Sequence, residues 1–133
     1  MIAIFDTNVL IAAIITEGIC SKLLHRARMG EFSLVSCPFI MKELRRILSK
    51  KFRLSQEESA WAMEPVSAAI NKVIEHSLKI TDICRAADDD NIIACAVAAK
   101  ADYLVTGDSD LLDIRSYKNI KIITPRDFEA LFV

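Results

Sequence analysis

The stretch that decides the fold is Ile2-Ala3-Ile4-Phe5-Asp6-Thr7-Asn8, four apolar residues followed directly by three polar ones. An apolar run without polar alternation, rich in β-branched and aromatic residues, is typical of a parallel strand that is buried on both faces. The apolar residues 9–15 predict a buried helix directly after it. In α/β sheets, ligands bind at the edge where parallel strands end, so this arrangement places Asp6 where a functional group is expected.

The rest of the chain repeats the alternation of apolar strands and helices. We predict further strands at residues 32–36, 73–75, 103–106 and 119–124 and further helices at residues 21–29, 38–51, 55–70, 91–99, 109–114 and 125–132. Ser55 and Glu58 match a capping box, and Pro65 is expected to kink or break the helix that they open. Strands and helices in this order pair in parallel through right-handed crossovers, so we predict a three-layer α/β/α sandwich.

Length and composition limit the alternatives. With 133 residues, 53% apolar and 26% charged, the chain fits a single domain spanning residues 1–133. Gly18, Gly30 and Gly107 stand alone, which excludes the glycine-rich phosphate loops of the common nucleotide-binding enzymes. The four cysteines show no metal-binding spacing and indicate a reducing cytoplasm. The longest apolar run is far shorter than the ~20 residues that cross a bilayer, so we expect no membrane segment.

The net charge is only −1, but the charges are separated along the chain. Residues 20–60 carry nine Lys and Arg against four acidic residues, whereas residues 81–113 carry eight Asp against two basic residues. Solvated helix faces explain most such runs. The alternative is a basic surface beside an acidic pocket.

Two aspartates follow predicted strands. Asp6 comes directly after the first strand, and Asp108 follows the strand at 103–106 after Thr106 and Gly107. Neighbouring parallel strands would present both carboxylates at one edge of the sheet. Each also has a simpler interpretation as a helix N-cap, and the sequence leaves both open.

The triplet Asp88-Asp89-Asp90 is harder to explain by capping, because three adjacent carboxylates repel one another and one is enough for a cap. A cation would offset this repulsion. Asp90, which adjoins the apolar helix, is the member we select to point into a site. Glu43 lies at the border of the apolar stripe of its helix, where a glutamate is usually solvated, with Arg46 as a possible ion-pair partner.

Several carboxylates without a well-spaced Cys or His pair indicate a hard cation, Mg²⁺ or Mn²⁺. Such ions polarise phosphoryl groups and activate water, which fits phosphodiester hydrolysis. The basic segment 42–53 would then hold a polyanionic backbone, and we predict contacts to RNA phosphates from Lys50, Lys51 and Arg53.

The motifs resemble those of a known family. They are Asp6-Thr7-Asn8-Val9-Leu10-Ile11, Glu43 in a helix, Asp89-Asp90-Asn91 before an alanine-rich helix, Ala101-Asp102-Tyr103-Leu104-Val105-Thr106-Gly107-Asp108 and the closing Ile123-Thr124-Pro125-Arg126-Asp127-Phe128. Together they resemble the PIN-domain ribonucleases, and most closely the prokaryotic toxins of toxin and antitoxin pairs. The resemblance covers essentially the whole chain.

This resemblance implies a parallel five-stranded sheet, Mg²⁺- or Mn²⁺-dependent RNA cleavage by metal-activated water, a homodimer, and an antitoxin protein that covers the site. The residues that match the catalytic, metal-binding acids are Asp6, Glu43, Asp90 and Asp108, and the supporting residues are Asn8, Thr106, Asp110 and Asp88. Arg85-Ala86-Ala87 stands where relatives often have an Asp-Pro pair. Which of the three adjacent aspartates contacts metal, and whether one or two metals bind, therefore stays open.

Two other functions remain to be separated from this one. A phosphatase of the haloacid-dehalogenase kind also has Asp after its first strand, but it needs a second Asp two residues later, where this chain has Asn8. A non-catalytic interaction module would use the apolar surplus, including Trp61 and Met63, as a protein interface. Core burial explains that surplus more simply. Metal-dependent turnover of RNA, compared with a phosphomonoester, separates the three.

Overall fold

A computed structural model describes residues 1–75 and 87–132, except for the side chains of residues 87 and 88. The strands are β1 (Ile2–Phe5), β2 (Ser33–Ser36), β3 (Ile70–Val73), β4 (Tyr103–Val105), β5 (Ser116–Tyr117) and β6 (Ile120–Ile123). The helices are α1 (Thr7–Ile15), α2 (Ile19–Arg28), α3 (Pro38–Lys50), α4 (Gln56–Ala69), α5 (Ala87–Ala98), α6 (Ser109–Leu112) and α7 (Pro125–Glu129), followed by a 3₁₀ turn at Ala130–Phe132.

The strands form one sheet in the order β3-β2-β1-β4-β6-β5. Five of them are mutually parallel, which confirms the predicted α/β class and the parallel sheet, and only the two-residue β5 is antiparallel to its neighbour β6. From β1 the chain moves outward to β2 and β3 and then returns to place β4 on the other side of β1. The carboxyl ends of β1 and β4 therefore flank the point where the strand order reverses, which is where such sheets hold their sites.

The core forms between the sheet and its helices. Helices α1, α2, α3 and α4 pack together on the sheet, whereas α5 packs on β1 and β4 and also contacts α3. With right-handed crossovers, the reversal of strand order puts α5 on the opposite face from α1–α4, which gives the three layers. The ring of Phe5 lies 6.0 Å from that of Phe128, edge to face, and Phe32 lies 5.0 Å from Phe128 in the same geometry. These contacts fix the C-terminal helix against the start of the fold.

Helix α4 differs from its predicted form, because it runs through Pro65 without a break. The capping box of Ser55 and Glu58 is present, as predicted. Pro65 is exposed, so the carbonyl that loses its hydrogen bond can be solvated. Strand β3 follows directly from the end of α4, so it begins three residues before the predicted segment 73–75.

Two further boundaries differ from the sequence predictions. The described part of helix α5 starts at Ala87 rather than at residue 91, so the three aspartates belong to the helix instead of preceding it. Strand β5 was missed, because two residues carry no readable alternation. Cys20, Cys37 and Cys95 form no disulfide among the described residues, and Cys84 lies outside them. No single described helix is long and apolar enough to cross a membrane; α1 and α2 pass that test only together, with a 98° bend between them.

Candidate metal centre

The candidate site lies where β1 and β4 end side by side. The parallel register pairs Phe5 with Val105, and the backbone N–H of Asp6 donates to the carbonyl of Val105 at 2.9 Å. Asp6 is therefore held next to Thr106, and both side chains are buried, with 4% and 0% exposure. A buried carboxylate needs compensation by hydrogen bonds or by a cation.

A hydrogen-bond chain positions the Asp6 carboxylate. The Thr106 hydroxyl donates to Asp6 Oδ2 at 2.7 Å and accepts from the backbone N–H of Asp108 at 3.0 Å. Asp6 occupies the N-cap position of α1 but makes no side-chain cap hydrogen bond. The simpler interpretation of Asp6 as a helix cap is therefore wrong, and its carboxylate is directed to the strand ends instead.

Burial raises the pKa of Asp6, and the negative charges of Asp108 and Glu43 raise it further. The hydrogen bonds from Thr106 and from the backbone of Thr7 oppose this shift without cancelling it. The arrangement thus concentrates negative charge around a buried acid. This is the electrostatic situation that a bound cation would relieve.

Three further carboxylates cluster beside this pair. Asp89, Asp108 and Asp110 each offer one oxygen, and these oxygens all lie within 4.8 Å of one another. Asp89 comes from the first turn of α5, whereas the other two lie at the start of α6. Asp108 Oδ1 also accepts from the backbone N–H of Asp110 at 3.1 Å, so for Asp108 the cap interpretation and the site interpretation both hold.

The crowding of these acids raises the pKa of Asp89 to about 6. Burial contributes most, followed by the charge of Asp108 and a hydrogen bond to it, and then by the charges of Asp6 and Asp110. A carboxyl in this position takes up a proton as the pH falls to about 6, because burial and repulsion disfavour its charged form. The four aspartates therefore form one electrostatic unit at the end of the sheet.

We expect the metal-free protein to lose stability as the pH rises from about 4 to about 6. The pKa of Asp89 is about 6 in the folded state against an ordinary 3.8, so the folded state binds more protons in this range. Stability then falls with rising pH. Melting temperatures in chelator, compared between wild type and Asp89→Asn, check this expectation. The variant should lack part of the decline, and parallel profiles for the two proteins would contradict the shift.

The remaining predicted residues occupy varied positions. Glu43 is half-buried on α3, close enough for its charge to raise the pKa of Asp6. No ion pair joins Glu43 to Arg46 in the described part of the chain. Asn8 is exposed on the first turn of α1, and the side chain of Asp88 lies outside the described residues.

Asp89 is the residue that the sequence analysis did not select. Asp90 is also buried, with 6% exposure, but within the described residues it is not part of the group whose oxygens converge. Helix α5 is buried almost all round between Ile92 and Ala96, so its apolar pattern defines no inner face. Without a recognisable inner face, the sequence does not show which of the two consecutive aspartates points to the strand ends.

The basic residues Lys50, Lys51 and Arg53 are exposed at the end of α3 and just beyond it. Helix α3 begins at the carboxyl end of β2 and leads away from the acidic edge. Lys50 lies about 10 Å along the helix axis from Glu43. Lys42 and Arg46 lie nearer, in a groove that Glu43 and Phe39 also line.

Comparison with known proteins identifies a family and solved structures with a similar fold. A family model described as a PIN domain matches residues 3–110, a range that includes Asp6, Glu43 and all three clustered carboxylates. A chain in the crystal structure of VapBC2 from Rickettsia felis, bound to a DNA fragment from their promoter, superposes with a TM-score of 0.66 and 19% sequence identity. The match covers 93% of this chain and 98% of that chain, and it shows a shared fold. No curated protein matches the chain significantly.

Proposed function

The chain belongs to the PIN domain family, whose members are generally nucleases, and from this premise we propose that it is a metal-dependent endoribonuclease. The observation that carries this proposal is the acidic cluster at the ends of β1 and β4, where oxygens of Asp89, Asp108 and Asp110 lie within 4.8 Å of one another. Carboxylates are the reactive groups that this edge offers, and several of them together suit a divalent cation, which activates water for attack on a phosphodiester.

The donor set fits Mg²⁺ or Mn²⁺. Both ions prefer oxygen ligands, and the described cluster consists only of carboxylates, with Asp6 buried beside it. Thr7 Oγ1 and Ser36 Oγ are also buried near this edge and have no hydrogen-bond partner among the described residues, so further polar atoms there are left unsatisfied. A divalent cation bound there would lower the pKa of a water and polarise the phosphate that it attacks.

Each residue has a defined part in this proposal. Asp6, Asp89, Asp108 and Asp110 would hold the metal, and Glu43 completes the acidic set from the side of α3. Thr106 fixes the Asp6 carboxylate through its 2.7 Å hydrogen bond. Asp108 is held in turn by the backbone of α6, so its oxygen is positioned before any ion arrives. Asp90 remains the alternative ligand from α5, but the geometry of the cluster favours Asp89.

We further propose that the protein is the toxin of a toxin and antitoxin pair. The shared fold with a chain of the VapBC2 structure supports this assignment. In this proposal an antitoxin protein covers the acidic edge and stops cleavage, the nuclease is a cytoplasmic homodimer, and RNA is the substrate.

We expect the purified protein to cut structured RNAs internally in Mn²⁺ or Mg²⁺, because its carboxylates need the ion to activate water. Chelator should stop the reaction, and a phosphomonoester such as p-nitrophenyl phosphate should stay intact. Gel analysis of labelled RNA checks this expectation. Undiminished cleavage in chelator would contradict the proposal. Preference for the monoester would indicate a phosphatase. Turnover of neither substrate would indicate an interaction module.

A further inference from the structure

A groove on α3 adjoins the acidic cluster at Glu43. It is lined by Phe39, Lys42, Glu43 and Arg46. At 100° per residue these four side chains fall within an arc of about 100°, so they share one face of the helix. Phe39 is half-buried at the base of this face, whereas Lys42 and Arg46 are exposed. The groove therefore combines an aromatic surface with two cations and ends at a residue of the proposed site.

The two cations of the groove have no carboxylate partner in the described part of the chain. The ion pairs found there involve Lys22 and Arg26 with Glu31 and Glu129, on a different surface. Lys42 and Arg46 are spaced four residues apart on one helix, an arrangement in which like charges repel. A phosphate in the groove would offset that repulsion, and it could accept hydrogen bonds from both Lys42 and Arg46.

We propose that this groove is the nucleotide-binding subsite of the ribonuclease, in which Phe39 stacks against a base and Lys42 and Arg46 hold phosphates of single-stranded RNA. The inference rests on the proposed function and adds to it the position and conformation of the substrate. Aromatic side chains that stack with bases, next to cations that follow the backbone, are the general means of binding single strands without sequence preference. A duplex would not present an unstacked base to Phe39.

The helix geometry also gives the direction of the strand. Arg46 lies about 4.5 Å along the helix axis from Glu43, and Lys50 lies on the same face about 6 Å beyond Arg46. RNA that follows this face leaves the acidic cluster along α3, with Lys42 and Arg46 as the main contacts and Lys50 as an outer one. Lys51 and Arg53 follow the end of α3, so the phosphates that we predict them to contact lie further from the cluster.

The test compares two pairs of substitutions that each remove one Lys and one Arg. The groove pair is Lys42→Gln with Arg46→Gln, and the control pair is Lys100→Gln with Arg28→Gln, two exposed residues at the opposite edge of the sheet, where the helices before β2 and β4 end. For each protein, kcat and KM are measured for cleavage of a labelled, unstructured RNA in Mn²⁺ over a range of salt concentrations. Circular dichroism melting confirms that the variants fold.

The groove pair should raise KM about tenfold or more with kcat changed less than about twofold, since phosphate contacts hold the strand without joining the reaction. For the groove pair, the slope of log KM against log salt concentration should decrease by about 1.4, the value for two lost phosphate contacts on a single strand. The control pair should match wild type. Phe39→Leu should raise KM roughly 5- to 100-fold for every sequence with an unchanged salt dependence, because stacking is not screened by salt.

Wild-type KM and salt dependence in the groove pair would overturn the subsite while leaving the ribonuclease assignment intact. The subsite would also be overturned if light scattering gave the groove pair a different molecular mass from wild type, because the groove would then be an interface between copies of the chain. A wild-type protein that cuts no RNA would overturn the proposed function, and the subsite with it.

Discussion

Replacing Asp89 by Asn is expected to reduce metal-dependent RNA cleavage by roughly 100-fold or more, because changes in the outer shell of a metal site alone cost 10- to 100-fold. The substitution keeps the volume of the side chain and removes a charge that lies among Asp6, Asp108 and Asp110. Initial rates on a labelled RNA at saturating Mn²⁺ measure the loss. Asp108→Asn should have an effect of similar size, since Asp108 shares the same 4.8 Å cluster.

Asp90→Asn is the matched control for this prediction. It makes the same chemical change one residue further along α5, at a side chain that is more deeply buried than that of Asp89. We expect it to retain much more activity than Asp89→Asn, with any loss accompanied by a lower melting temperature. If Asp90→Asn abolishes cleavage in a stable protein while Asp89→Asn does not, Asp90 is the ligand and the favoured geometry is wrong.

Mn²⁺ or Mg²⁺ is expected to raise the melting temperature of the wild-type protein by about 8 °C at a hundredfold excess over the dissociation constant. The ion binds the folded cluster and not the unfolded chain, so it stabilises by mass action. Asp6→Asn should blunt this rise, because it removes a charge from the site. The same variant should melt higher than wild type in chelator, since the pKa of Asp6 is raised by burial and by neighbouring charges, which means that its charged form costs stability at neutral pH.

The control for this experiment is Asp127→Asn, which removes an exposed carboxylate on α7 that is not among the converging oxygens of the described residues. It should show the wild-type response to metal. An Asp6→Asn protein with that same response would show that Asp6 serves the fold and not the metal.

The sequence was sufficient to predict which residues lie at the ends of the strands. Asp6 and Asp108 could be placed at one edge because buried strands are readable from their apolar runs, and parallel neighbours end together. Thr106 lies in the same exit turn, and the structure shows how it acts, through a hydrogen bond to Asp6. Glu43 could be selected because it borders the apolar stripe of an amphipathic helix, where a side chain can reach over the sheet edge.

Other features depend on information that the sequence pattern does not carry. To choose between Asp89 and Asp90, one must know which side of α5 faces the strand ends. A helix that is buried almost all round does not show this in its apolar pattern. The phosphate contacts at Lys50, Lys51 and Arg53 stay a prediction that rests on charge density, and charge density does not give the direction in which α3 leaves the site. The continuity of α4 through Pro65 depends on which side of that helix is solvated, and only the tertiary packing decides this.

The central claim is that the carboxylates at the ends of β1 and β4 form a divalent metal site. Electron paramagnetic resonance of free Mn²⁺ tests this directly, because the sharp signal of the aqueous ion disappears as the protein binds it. At neutral pH we expect wild type and Asp127→Asn to take up Mn²⁺ in equal amount, and Asp89→Asn and Asp108→Asn to leave most of it free. Equal uptake by all four proteins, or none by wild type, would contradict the account.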